Sequence, residues 1–171
     1  MLAAIIPFIE VVHVNSNRHP LRLNVGFIIS QSIGYSRDFE FEFPTIRLLS
    51  EMALTDFHGV AKISRTPQGL LCQAHFHGDI LLDCVRCLEP AQTHLDTEFS
   101  ELYAFSSRTA TESNLILPDD AHIDLEPLIH EYLTLEIPIQ PLCKPDCLGL
   151  CPTCGENWNE RGCEHQTQPV E

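Results

Sequence analysis

A chain of 171 residues with 44% hydrophobic content is long enough to bury a core, and its length fits one domain or one domain with a small appendage. No apolar run approaches the ~20 residues needed to cross a bilayer, which excludes a membrane-spanning helix. The formal net charge of −14 excludes a broad electrostatic grip on a phosphate backbone, which requires an excess of Lys and Arg.

The start, Met1 to Val14, is apolar, yet it has no basic n-region and carries Glu10 inside the apolar stretch. It does not read as a signal peptide. The expected setting is therefore the reducing cytoplasm, where clustered cysteines bind metal rather than pair as disulfides. Leu21-Arg22-Leu23-Asn24-Val25 alternates apolar with polar residues, and Phe39-Glu40-Phe41-Glu42-Phe43 alternates aromatic with acidic ones. Both have the period of a strand with one buried face, and Pro44 is expected to end the second. Gly69 to Cys84 reads as a long strand, or as a hairpin bent near Gly78. Within it Cys72 reads as a small buried hydrophobe. His75 and His77 share one face of it, which is ligand geometry without an evident third ligand, so a solvated strand face is the expectation.

Cys84-Val85-Arg86-Cys87 follows, and a C-x2-C pair lets two sulfurs of one tight turn reach a single ion about 2.3 Å away. A thioredoxin-like dithiol would need a helix after the first cysteine. The flanks read as strands instead, with Leu95, Thr97, Phe99 and Tyr103 on one face of the next and His94, Asp96, Glu98 and Ser100 on the other. Ser106 to Asp120 is poor in large apolar residues and reads as a loop or linker. From Asp124 a helix is expected, with Leu125, Leu128, Ile129, Tyr132 and Leu135 at helical spacing, Asp124 as a cap, Pro127 in the first turn and Pro138 as the stop. His130 reads as an exposed helical residue.

The densest chemistry comes last. Cys143-x3-Cys147 precedes a second knuckle, Cys151-Pro152-Thr153-Cys154-Gly155, and Cys163-Glu164-His165 follows it. Proline fixes φ at the knuckle's start and glycine accepts the left-handed turn that closes it. Seven thiolates and one imidazole make two tetrahedral zinc sets. The preferred partition places Cys84, Cys87, Cys151 and Cys154 on one ion, and Cys143, Cys147, Cys163 and His165 on another; a single ion, or ligands exchanged between the sets, fits the spacings too. The triplet Cys147-x3-Cys151-x2-Cys154 also matches the iron–sulfur spacing of radical enzymes, but only Gly155 to Glu171 follows where those enzymes build a barrel. Four protein ligands per ion leave no open coordination position, so the metal is expected to be structural and the protein not an enzyme. Trp158, the sole tryptophan, is expected to pack over the metal rather than stack on a base.

The organisation that follows is an α+β chain: residues 1–105 as a β-rich domain of antiparallel strands carrying the first knuckle, 106–121 as loop or linker, 122–165 as the main helix plus a zinc-ribbon-like segment clamped back onto the strands, and 166–171 as a frayed tail. Charge divides along the same line, since residues 1–65 hold six basic and six acidic side chains while residues 66–171 hold four against eighteen. Such a distribution suits a basic protein partner, with Asp119, Asp120, Asp124 and Glu126 as candidate contacts. Arg86, Lys144 and Arg161, in or beside the knuckles, are the candidates should the metal region touch RNA. No membrane contact or small-molecule substrate is expected.

Taken in order, Asp83-Cys84-Val85-Arg86-Cys87-Leu88-Glu89, Asp124-Leu125-Glu126, Leu135-Glu136-Ile137-Pro138 and Cys143-x3-Cys147-Leu148-Gly149-Leu150-Cys151-Pro152-x-Cys154-Gly155-x-Asn157-x-Asn159 resemble the YceD family over roughly residues 20–165. The resemblance implies a bacterial or plastid ribosome biogenesis factor required for accumulation of large-subunit (23S) ribosomal RNA, without an enzymatic activity. Members commonly close the motif with Cys-x-Cys; here His165 takes the last position, where imidazole is an equally acceptable zinc ligand. A zinc-ribbon adaptor docking to another machine, such as that of transcription, is the alternative.

Overall fold

Alternating patterns dominate the described part of the chain, which in the computed structural model comprises residues 19–165; the apolar start and the tail from Gln166 lie outside the described residues. The elements run β1 (Arg22–Asn24), a short helix α1 (Gly26–Ile29), β2 (Ser36–Arg47), a 3-10 turn (Leu49–Glu51), β3 (Ala53–Arg65), β4 (Gly69–Asp83), β5 (Pro90–Ala104), β6 (His122–Asp124) and α2 (Glu126–Glu136). Among the described residues these form a four-stranded antiparallel sheet in the order β2-β3-β4-β5, and a two-stranded ribbon of β1 with β6. The structure is thus mostly antiparallel strands with one main helix.

One face of the sheet is the core. Phe39 and Phe41 from β2, Phe57 and Ile63 from β3, Leu70 and Phe76 from β4, and Leu95 and Phe99 from β5 are buried. Each large side chain so buried contributes about 1.5–3 kcal/mol. Phe76 stacks on Phe57 with ring centroids 5.3 Å apart, Phe99 lies 6.3 Å from Phe76, and Tyr132 of α2 stacks on Phe99 at 4.7 Å. The Tyr132 hydroxyl donates to Glu101 Oε1 at 2.8 Å. Helix α2 therefore covers this face beside β5, with Leu128, Ile129 and Leu133 buried. Leu135, expected on the apolar face, is 75% exposed. It lies ten residues after Leu125, nearly three turns on but out of phase with 3.6 residues per turn, and Leu133 fills the role instead.

Two local expectations, the stop at Pro44 and the cap at Asp124, differ from what the chain does, and the first of the two forms expected for β4 is the one found. Pro44 does not end β2, which continues to Arg47. β2 is the sheet's edge, where a missing N–H is tolerated, and Pro44 falls where the register passes from Phe43↔Phe57 to Thr45↔Thr55, beside the left-handed Asp56 (φ 50°). β4 is one unbroken fifteen-residue strand through Gly78. The cap of α2 is Leu125, with Asp124 Oδ1 accepting the Glu126 amide at 3.0 Å from just outside. After β5 the chain returns along its own end: Ala104 donates to the Leu115 carbonyl and accepts from Leu117, both at 2.9 Å, which lays Leu115 and Leu117 against the core.

Candidate metal centres

β4 and β5 form a hairpin whose last register pair is Asp83↔Pro90, so Cys84 to Glu89 are its turn. Within that turn Cys84 donates its amide to the Glu89 carbonyl and accepts from the Leu88 amide, each at 2.9 Å. Leu88 takes the left-handed conformation (φ 61°) that Gly155 (φ 75°) takes at the same place in the second knuckle. The two C-x2-C segments thus share a turn geometry that points both sulfurs inward.

After α2 the chain travels back to this turn. The Val85 amide donates to the Pro141 carbonyl at 3.0 Å, and Arg86 Nη1 donates to the Cys147 carbonyl at 2.8 Å. Cys143 and Cys147 are thereby delivered beside Cys84 and Cys87. Cys84 Sγ lies 3.8 Å from Cys147 Sγ, and Cys87 Sγ lies 3.5 Å from Cys143 Sγ. Those separations fit a tetrahedron of about 2.3 Å Zn–S bonds, whose edge is about 3.8 Å, and are far beyond a disulfide's ~2.05 Å. All four ligand atoms lie within 4.8 Å of one another. Cys84, Cys87 and Cys147 are buried with Ala91 under Leu142 and Leu150.

The chain then passes Gly149 (φ 80°), where an added Cβ would stand 3.1 Å from the Arg86 carbonyl oxygen. Only glycine combines that backbone angle with that approach. Leu150 donates to the Arg86 carbonyl at 3.0 Å and bridges to Asn157, and Trp158 donates its amide to the Gly149 carbonyl at 3.0 Å. This small hairpin folds Cys163 and His165 onto the second knuckle, so that Cys151, Cys154, Cys163 and His165 form another four-ligand group with all ligand atoms within 4.8 Å.

The partition is therefore not the preferred one. Cys143 and Cys147 join Cys84 and Cys87, while Cys151 and Cys154 stay with Cys163 and His165. The reason is the path of the chain, which meets the first turn at Pro141 before the second knuckle begins. Cys147 falls in a different ligand group from Cys151 and Cys154, which divides the iron–sulfur triplet. Cys72 is fully buried on the core face, and burial, with a smaller push from Glu101, raises its thiol to about 12.

Electrostatics differ within each group. Burial pushes the Cys84 thiol up, but backbone hydrogen bonds from Cys143, Cys87 and Arg86 bring it down to about 6. Cys151 also falls to about 6, where backbone N–H groups of Cys154 and Thr153 overcome burial. Cys143, crowded by Cys87 above all, rises to about 12. Asn159, a residue whose role spacing alone does not reveal, donates Nδ2 to Cys147 Sγ at 3.3 Å while its Oδ1 accepts the Leu148 amide. Trp158 donates Nε1 to Cys163 Sγ at 3.1 Å. Of the charged candidates, Arg86 is tied to the first group, whereas Asp120 pairs with Arg22 and Asp124 holds the start of α2.

Among known proteins, residues 72–171 match the family described as Large ribosomal RNA subunit accumulation protein YceD. An uncharacterised protein of Mycobacterium tuberculosis is 33% identical over 98 residues, 55% of this chain and 47% of that protein. The uncharacterised YlbN protein of Bacillus subtilis is 29% identical over 97 residues, 54% of this chain and 56% of that protein. A chloroplastic maize protein, Large ribosomal RNA subunit accumulation protein YCED homolog 1, is 45% identical over 40 residues, 23% of this chain and 14% of its own length. The chain spans about half the length of the first two relatives. No solved structure is a significant match. A match that starts in β4 and takes in both knuckles covers more than half of the chain, which therefore belongs to the YceD family.

Proposed function

We propose that this protein is a non-enzymatic ribosome biogenesis factor needed for accumulation of large-subunit (23S) ribosomal RNA, and that two structural zinc ions stabilise it. The family match carries the ribosomal half of the reading. The two four-ligand groups support the metal half. Cys84, Cys87, Cys143 and Cys147 would hold one ion and Cys151, Cys154, Cys163 and His165 the other. Zinc bound by four protein ligands supplies cross-linking rather than Lewis-acid chemistry, because no position is left for a substrate. The first ion ties the hairpin turn to the segment after α2, and the second shapes that segment itself.

The outer face of the sheet supports a basic partner, such as a ribosomal protein on precursor particles in the cytoplasm. Register places Glu40, Glu42, Asp96 and Glu98 on that face, with Lys62 opposite Asp38 as its counterweight. Affinity purification from cells, with RNA sequencing and mass spectrometry of one eluate, tests the reading. Enrichment of 23S precursors and large-subunit proteins is expected. Enrichment of RNA polymerase subunits without ribosomal precursors would replace it with a zinc-ribbon adaptor of transcription.

A further inference from the structure

Away from the cysteines, the outer face of the sheet gathers histidines from three strands. Register sets Glu42, His58, His77 and Asp96 in one row across β2 to β5, and Asp79 opposite His94 beside it. His75 and His77, two residues apart on β4, point to the same face. Their ring centroids are 4.2 Å apart, and His77 stacks with His58 at 5.0 Å and with His94 at 6.0 Å. His75 Nε2 is 3.1 Å from Asp96 Oδ1, and His77 Nδ1 is 2.5 Å from Asp96 Oδ2. The third ligand that the sequence of β4 lacks thus comes from the neighbouring strand.

Two imidazoles and a carboxylate with all three ligand atoms within 4.8 Å of one another are a coordination set. Tetrahedral zinc with bonds of about 2.0–2.1 Å spaces its ligand atoms about 3.4 Å apart, so only small side-chain rotations are required. Imidazole and carboxylate donors select first-row transition ions over calcium or magnesium, which prefer oxygen alone. His75 and Asp96 are exposed and His77 is half-buried, so the site faces solvent and, unlike the cysteine groups, keeps a position open.

We propose that His75, His77 and Asp96 form a third metal site, an exchangeable surface site for a zinc-class divalent ion, with His58 stacked against His77 beside it. The site stands apart from the cysteine groups and does not rest on the family match, but it uses Asp96, one of the acids on the face offered to a basic partner. The test uses full-length protein whose tight sites are already filled with zinc, titrated with further zinc and followed by calorimetry and by imidazole nitrogen NMR shifts. One additional equivalent should bind, with shifts confined to His75, His77 and their stacked neighbours. His75→Ala/His77→Ala, or His75→Gln/His77→Gln should the alanine pair fold poorly, should abolish it. Asp96→Asn should weaken it at least tenfold, and His19→Ala, at a separate exposed group with Asp124 and Glu126, should leave it intact. Absence of the additional equivalent in the parent, or its survival in the double histidine variants, would overturn the proposal.

Discussion

Because the two proposed ions close loops of very different length, removing ligands from each should have unequal consequences. Cys87 and Cys143 are 56 residues apart, and the enclosed chain contains β5, β6 and α2. A cross-link of that span is worth about 4 kcal/mol of chain entropy, against about 2.7 kcal/mol for the roughly ten-residue loop between Cys154 and Cys163. The long closure stabilises the sheet and helix, and the short one only the terminal segment. Cys143→Ser/Cys147→Ser, which removes the far end of that closure altogether, should therefore lower the Tm of the sheet, followed by far-UV circular dichroism at saturating zinc, by roughly 8–16 °C. Cys154→Ser should change that transition by no more than a surface substitution does, about 0.5 kcal/mol. It should instead alter fluorescence from Trp158, whose indole N–H rests on Cys163, already at low temperature. Equal shifts of the sheet transition in both variants, or none in Cys143→Ser/Cys147→Ser, would refute the long-range clamp.

Native mass spectrometry can read the partition directly: Cys87→Ser/Cys143→Ser should lose one tightly held zinc, whereas Cys87→Ser/Cys151→Ser should lose both, the reverse of what pairing the two C-x2-C segments requires. Zinc affinity, measured against a competing chelator between pH 5 and 8, should fall as the solution is acidified. Above pH 6 the metal displaces protons chiefly from the thiols held high, Cys87, Cys143 and Cys154; below it Cys84 and Cys151 are protonated as well, and the slope steepens. A flat profile would mean that thiolates are not the ligands. Asn159→Ala removes the N–H donor to Cys147 Sγ and should weaken the first site by about 10–100-fold without changing the zinc count at saturation.

Local chemistry was legible in the sequence where spacing sets geometry. The alternation at Phe39 to Phe43, the turn between Asp83 and Pro90, and the faces of β5 all follow from periods of two and from a C-x2-C knuckle. Long-range pairing was not legible, because cysteine spacing gives no hint of which later segment, Cys143-x3-Cys147 or Cys151-x2-Cys154, reaches the first knuckle. The hydrogen bond from Val85 to Pro141 settles it, and nothing in the spelling of either residue announces that contact. The same limit hid Asp96 from His75 and His77, which meet across strands nineteen to twenty-one positions apart. Pro44 misled for a different reason. Proline forbids a central strand but not an edge, and whether β2 is an edge is a property of the whole sheet.

Whether this YceD-family chain sustains large-subunit ribosomal RNA is tested most directly by the ratio of large- to small-subunit rRNA in cells depleted of the protein and complemented with variants. The ratio should fall on depletion, recover with the parent chain, and fail to recover with Cys147→Ser. An unchanged ratio on depletion would contradict the proposed role.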